Sequence, residues 1–365
     1  MRCTLGLAGL CGFGALLLAC SNFKDQSVTD GGASEAASDA PGDSSTGDSS
    51  TVADGSLGQD AGSGDAPGGD TGSSDGAPGC GDGGCPVEVL VNDLRQATIV
   101  MVDANNIYFA DPGVTGGVVY QCPKTGCATP TTLGTGYATG LGIDGTNVYW
   151  NDFTAGSVVS CTIGGCGGAP KVLVGSQTSV GGVTCDGANL YWSTEGNVVT
   201  CAAPGCGSPS TLATGQGTVA AVAAETGIAY WTSTNAGGSV ESCAAAGCNQ
   251  KPAEVVPGFA ETLVVKAGTA YFTIGNAVDS CPVTGCTSLH TIGSSSEPYG
   301  MGTDGVDIYW LDGEDDVVYR CPALGCSGGP THFADNQPSA SGATVALDAD
   351  YVYWTATTQV LRKHR

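Results

Sequence analysis

The chain has 365 residues, with 35 acidic side chains against 11 basic ones, a net charge of −24 and 60 glycines. A chain this acidic repels phosphate backbones, so nucleic acid is excluded as a partner and docking on anionic lipid surfaces is disfavoured. Eighteen cysteines are far more than a reduced intracellular protein of this size needs.

The N-terminus reads MRCTLGLAGLCGFGALLLAC. Arg2 is a short positive region, and Thr4 to Ala19 is an uncharged apolar run. That run is too short for a comfortable membrane span and suits a signal peptide over residues 1–20. Leu17-Leu18-Ala19-Cys20 resembles the bacterial lipobox, which implies lipid attachment on Cys20 and cleavage just before it. The plainer alternative is an ordinary secretory leader. Either way the mature protein is exported. Ser21, rather than Asp, after the lipid-bearing Cys resembles an outer-membrane address, facing the periplasm or the cell surface.

Residues 21–79 are mostly Gly, Ser, Asp, Ala and Thr, with Phe23, Val28, Val52 and Leu57 as the only large apolar side chains. Such a segment cannot offset its own chain entropy by burial, so it is expected to be a disordered tether. It carries ten Asp and Glu35 against Lys24, a net charge of −10. A flexible chain of that length spans roughly 40–45 Å end to end. Its Asp-Gly pairs have neither the EF-hand spacing nor the nonapeptide period of a calcium site. Removing the tail's −10 and the leader's +1 from −24 leaves −15 on residues 80–365.

That remainder is built on a repeat. Aromatic pairs stand at Tyr108-Phe109, Tyr149-Trp150, Tyr191-Trp192, Tyr230-Trp231, Tyr271-Phe272, Tyr309-Trp310 and Tyr353-Trp354, in steps of 41, 42, 39, 41, 38 and 44 residues. Hexapeptides of the form Cys, three residues, Gly, Cys keep the same period. The unit TGLGIDGTNVYWNDFTAGSVVSCTIGGCGGAPKVLVG shows the plan. A small-residue run ends at the turn Asp144-Gly145. Val148-Tyr149-Trp150, Ser157 to Ser160 and Pro170 to Val174 follow as further β-rich runs. There is no helical period of useful length. Four short strands per forty-residue unit, seven times, predict an all-β fold, a seven-bladed β-propeller.

The two ends of the repeat are complementary. The last unit runs from Ala343 through Tyr353-Trp354 to Gln359-Val360-Leu361-Arg362 and lacks a hexapeptide and a fourth strand. CGDGGC at Cys80 to Cys85, followed by Pro86 to Val91, has those two pieces and nothing before them. The N-terminal strand is therefore expected to complete the last blade, closing the ring without a free edge.

VYWND, LYWST, AYWTS and IYWLD resemble the YWTD repeats of receptor ectodomain propellers, and DGTNVYW matches the run leading into that motif. The likeness touches all seven units but is a few residues deep in each. YWTD propellers usually have six blades, and the motif's Asp is kept here only at Asp111, Asp152 and Asp312, so their ligand habits do not carry over. The layout of lipobox, acidic tether and Cys-rich propeller resembles lipoproteins of myxobacteria and their relatives.

Seven staples are expected, one per blade: Cys80–Cys85, Cys122–Cys127, Cys161–Cys166, Cys201–Cys206, Cys243–Cys248, Cys281–Cys286 and Cys321–Cys326. Each closes a six-residue loop worth roughly 2 kcal/mol. The Gly before each second Cys is expected to supply a positive φ. Zinc would need two pairs to meet, and these lie on different blades, so no metal is expected. Cys185, the odd one out, stands where other units have Ile143, Val102 and Leu347, as a buried small hydrophobe would.

Chemistry is sparse. His290, His332 and His364 sit away from any axis, and there is no nucleophile elbow, P-loop or zinc-protease motif. No catalytic residue and no cofactor is predicted. The recurring Asp103, Asp144, Asp186, Asp304 and Asp348 read as turn formers. The residues leading into the inner strands from the other side differ between units, as a binding surface does. They include Gln96, Ser179 and Thr218, and above all Tyr137, Glu261, Glu297 and Tyr299. The expected role is a monomeric, membrane-anchored envelope module that binds a protein or a glycan there. The alternatives are a propeller lyase or hydrolase with Glu261 or Glu297 as base, and a purely structural envelope protein.

Overall fold

A computed structural model describes residues 85–339 and 342–365. The proposed leader, Cys20, the tether and Cys80 lie outside the described residues. Seven four-stranded antiparallel sheets form the ring. Blade 1 runs from Val100–Val102 to Thr131–Thr135, blade 2 from Leu141–Ile143 to Lys171–Val174, and blade 3 from Gly181–Cys185 to Ser210–Ala213. Blade 4 runs from Val222–Glu225 to Ala253–Pro257, blade 5 from Leu263–Lys266 to His290–Ser294, and blade 6 from Pro298–Thr303 to Thr331–Ala334. Blade 7 has Val345–Leu347, Tyr351–Ala356 and Gln359–His364 from the C-terminus, and Glu88–Val91 as its outer strand. Val89 pairs with Leu361 and Glu88 with Arg362, so the ring closes as the split repeat predicts.

The aromatic pair builds the core between blades. Alternation along the second strand sends the two rings to opposite faces of the sheet. Tyr108 of blade 1 shares a buried cluster with Trp150 of blade 2, and Tyr149 shares one with Trp192. The pattern runs round the ring to Tyr353 of blade 7, which is clustered with Phe109 of blade 1. Burying a large aromatic from each blade against its neighbour contributes a few kcal/mol per interface. These seven clusters make the ring one cooperative body.

The first strands are innermost and lie against one another, Leu141–Ile143 beside Gly181–Cys185 and Pro298–Thr303 beside Val345–Leu347. Close approach explains their small residues. A Cβ on Gly142 would come within 2.9 Å of Cys185 Cβ, and one on Gly302 within 2.6 Å of Leu347 Cδ1. Cys185 is thus held between two inner strands. It is the free cysteine among the described residues, and burial raises its thiol to about 11.

Six of the seven staples lie wholly within the described residues, with Cα–Cα distances of 5.0–5.6 Å. Cys85 is also disulfide-bonded. Six disulfides mark a chain that matures in an oxidising compartment. The glycine before the second Cys behaves less uniformly than expected. Gly165, Gly247 and Gly325 have φ of 115°, 103° and 100°, but Gly205 and Gly285 stay outside the left-handed region. In blade 3 the positive φ is carried by Cys206 itself, at 49°. The ring of the loop has more than one solution, so glycine is not obligatory in each.

Candidate binding site at the channel mouth

Antiparallel pairing divides the loops between two faces. The turns from first to second strand and the Cys loops share one, called here the turn face. The connections leading into the inner strands and the hairpins from second to third strand share the other, the mouth face.

The turn face repeats one device. Asp144 accepts the amides of Thr146 and Asn147 at 2.8 and 2.7 Å and the hydroxyl of Tyr149. Asp103, Asp186 and Asp348 do the same with Tyr108, Tyr191 and Tyr353 at 2.6, 2.8 and 2.8 Å. Burial raises these carboxyls, but the hydrogen bonds together outweigh it and hold all of them below the ordinary range. Asp304 follows the plan with Arg365 in place of a tyrosine and falls to about 2. Blades 4 and 5 replace the Asp by Glu225 and Lys266. Their turns shrink to Thr226-Gly227 and Ala267-Gly268, all four residues at positive φ. Glu225 then reaches across to the Ala267 and Gly268 amides of the next blade, at 2.7 and 2.9 Å. These acids are structural caps.

On the mouth face, the three retained motif aspartates position the loops that carry the candidates. Asp312 accepts the amides of Glu297, Glu314 and Asp315 at 2.8, 3.0 and 2.8 Å. Asp111 accepts those of Arg95 and Gln96 at 3.0 and 2.9 Å. Asp152 accepts Tyr137 at 3.4 Å and Thr154 at 3.1 Å. In blade 4 Thr234 takes this part, accepting the Thr218 amide at 2.7 Å. Below the rim, Gln216, Ser295 and Gln337 accept the indole N–H groups of Trp231, Trp310 and Trp354 at 2.9–3.0 Å.

The candidates fall into two groups across the ring. Glu261 leads into blade 5, and Glu297 and Tyr299 lie at the start of blade 6. Both glutamates are exposed. Tyr299 is half-buried and hydrogen-bonded to Ser339. Burial, with the charges of Glu297, Asp312 and Asp316, pushes its phenol up, so it is a neutral donor at physiological pH. Tyr137 leads into blade 2, three blades from both blade 5 and blade 6, and its ring lies 6.1 Å from that of Phe153. The four therefore share a face but not a single pocket. Sequence reading missed the exposed aromatics Phe153 and Phe259 on this rim, and the hairpin acids Glu314, Asp315 and Asp316. They sit in connections outside the repeat, where no period marks them. Two open cavities are formed elsewhere. One of about 400 Å³ lies between the turns of blades 1 and 7, around Asp103, Lys124 and Asp348. One of about 300 Å³ lies between blades 6 and 7, around Arg320, Phe333 and Lys363.

None of the three histidines lies in a connection of the mouth face. His290 and His332 begin outer strands, the latter bonded to Asp335 at 2.6 Å, and His364 ends the third strand of blade 7. No group of three or more His, Cys, Asp or Glu among the described residues is arranged to hold a metal.

No known protein family's profile matches the chain, and no curated protein does. Solved structures do. Virginiamycin B lyase from Staphylococcus aureus aligns with a TM-score of 0.62 at 12% identity, over 76% of this chain and 98% of that one. A streptogramin B lyase aligns with a TM-score of 0.60 at 12% identity, over 76% and 97%. The computationally designed protein Ika8 aligns at 0.52 and 12%, over 76% and 98%. At such identity the likeness is one of architecture, and this chain's own seven four-stranded sheets make it a seven-bladed β-propeller.

Proposed function

We propose that this protein is an exported, lipid-anchored propeller of the cell envelope that binds a partner at its mouth face. Residues 1–20 act as the leader, Cys20 carries the lipid, and residues 21–79 are the tether that holds the monomeric domain of residues 80–365 off the outer membrane. The observation that carries the reading is the contrast between the faces. The turn face repeats one Asp cap in five of the seven blades. The mouth face presents, on a rigid frame, side chains that differ from blade to blade. Its connections expose Glu261, Glu297, Glu314 and Asp335, with Arg95 as their opposing cation. That field repels polyanions and favours neutral or cationic ligands. Phe153 and Phe259, with Tyr137, give the stacking surface that a sugar or an aromatic peptide side chain needs. A glycan, wall fragment or protein segment of that character is the expected ligand.

A lyase reading is the second, favoured by the likeness of fold to the two lyases. It would require Glu261 or Glu297 to remove a proton. The test is a thermal-shift screen of the oxidised full chain against glycans, wall fragments, basic peptides and small metabolites. A ligand at a hundred times its Kd adds about 2.7 kcal/mol, a shift of a few degrees. A shift abolished by Glu261→Gln, Glu297→Gln or Tyr299→Phe supports the mouth as the site. Shifts that survive all three place binding elsewhere and sink this reading.

A further inference from the structure

Cations are scarce in this domain, with nine Lys and Arg in residues 85–365, yet four of them crowd one place. Arg320 lies on the third strand of blade 6, and Arg362, Lys363 and Arg365 stand at the end of the third strand of blade 7. Alternation turns Arg362 to one side, where it pairs with Glu88 at 2.7 Å. It turns Lys363 and Arg365 to the other, toward blade 6. There they border, with Arg320, His332 and His364, the cavity of about 300 Å³ between the two blades, whose lining includes no Asp or Glu side chain, while Asp335 is bonded to the lining His332 at 2.6 Å.

The charges in this groove are unevenly matched. Asp307, from the turn of blade 6, holds Arg320 at 2.8 Å and lies 3.8 Å from Arg365, which also pairs with Asp304. These carboxylates brace the two guanidinium groups from behind, and the Arg320 side chain remains 41% exposed. Lys363 has no carboxylate partner among the described ion pairs. Its ammonium donates to the Phe333 carbonyl and stands 4.9 Å from the centre of the Phe333 ring. Among the described residues this half-buried ammonium meets a carbonyl and a π face, which leaves it donors and charge for a ligand. The acidity of the whole chain does not cancel this. Exposed charges more than about 8 Å away are largely screened at physiological salt. Nearby, Asp304 and Asp307 offset Arg365 and Arg320 and Asp335 sits on His332, so Lys363 is the charge open to a ligand.

We propose that the groove between blades 6 and 7 is a binding site for a phosphate-type oxyanion, with Lys363 as the principal charge and Arg320 as the second donor. The site lies on the turn face, away from the proposed mouth site, and stands independently of it. The same chemistry is offered by free phosphate and by a phospholipid headgroup.

The test titrates inorganic phosphate into the full-length protein by calorimetry, with chloride holding ionic strength constant. In parallel, sedimentation compares vesicles of phosphatidylglycerol in phosphatidylcholine with phosphatidylcholine alone. A lipid on Cys20 would act on both vesicle types, so the difference between them reports the headgroup. Saturable binding in either arm is expected, weakened roughly tenfold or more by Lys363→Gln, since a charge-assisted bond is worth about 1.5–3 kcal/mol. Lys363→Arg should restore it, and Lys171→Gln, on blade 2, should leave it unchanged. Binding of phosphate assigns the site to the free ion, and headgroup dependence alone assigns it to lipid. If Lys363→Gln fails to fold, Arg320→Gln carries the same comparison. Absence of Lys363- or Arg320-dependent binding in both arms overturns the proposal.

Discussion

The two faces of the ring are made from the same four strands and differ in what their loops are asked to do. On the turn face, five blades use an Asp to close the turn and anchor a Tyr or Arg, and the Cys loops staple the same side. On the mouth face, one task, holding the connection into the inner strand, is met by Asp in three blades and by Thr234 in blade 4. Repetition marks where every blade faces the same geometric problem. Variation marks where the fold leaves the side chain free, and there function can be written.

Reduction should break the contrast most severely, because all the described staples are on the turn face. Six loops at roughly 2 kcal/mol each sum to on the order of 10 kcal/mol, comparable to the whole stability of a domain. Urea unfolding with and without reductant should show a collapse of the folded baseline. Thiol counting on the unreduced, denatured chain should find Cys185 as the one reactive thiol of the mature domain. In the native state it should react slowly, its thiol being half-buried rather than fully buried and raised to about 11. Several titratable thiols before reduction would contradict the staple scheme.

Acid should act next, and also on the turn face. The folded carboxyls of Asp103, Asp144, Asp186, Asp304 and Asp348 lie below their unfolded values near 3.9. The stability they contribute is present above about pH 4 and is lost as pH falls through the folded values, about 2 for Asp304. Urea midpoints measured from pH 5 to pH 2 should therefore fall steeply below pH 4. A single blade can be probed with Asp144→Ala, which uncaps two amides and leaves the Tyr149 hydroxyl without its acceptor. A loss of roughly 2–4 kcal/mol is expected at pH 7. Asp144→Asn should recover part of it, since an amide oxygen still accepts.

What the sequence made legible follows the same division. The forty-residue step of Tyr149-Trp150 and its counterparts revealed the blade, because each unit must present the same ring to its neighbour's core. The split unit at Cys85 to Val91 and Ala343 to Arg362 revealed the closure. Contacts without a period stayed hidden. Glu225 caps the turn of the next blade, some 42 residues on, and nothing near it in the chain signals that. Phe153 meets Tyr137 across two loops of one blade, and Arg320 and Lys363 border one groove only because the ring sets blade 6 against blade 7. The uniform glycine of the Cys loops does not mean a uniform backbone, because at Gly205 and Gly285 the loop closes without a left-handed residue there.

The smallest structural effect should come from the mouth face, and that is its diagnostic value. Glu261 and Glu297 are exposed, and their amides, not their carboxylates, make the framework bonds to the Thr273 carbonyl and to Asp312. Glu261→Gln and Glu297→Gln keep those amides and the side-chain shape, so each should change unfolding free energy by less than about 0.5 kcal/mol. Any larger effect on ligand-induced thermal shift or on turnover then belongs to the site and not to the scaffold. For a binding module, the two substitutions should weaken a cationic ligand and shift its salt dependence, since charge complementarity is what they remove. For a lyase, one of them should abolish turnover while leaving binding measurable, because a missing base costs the chemical step. Two variants that fold, bind and turn over as the parent does would leave the mouth face as variable loop and nothing more.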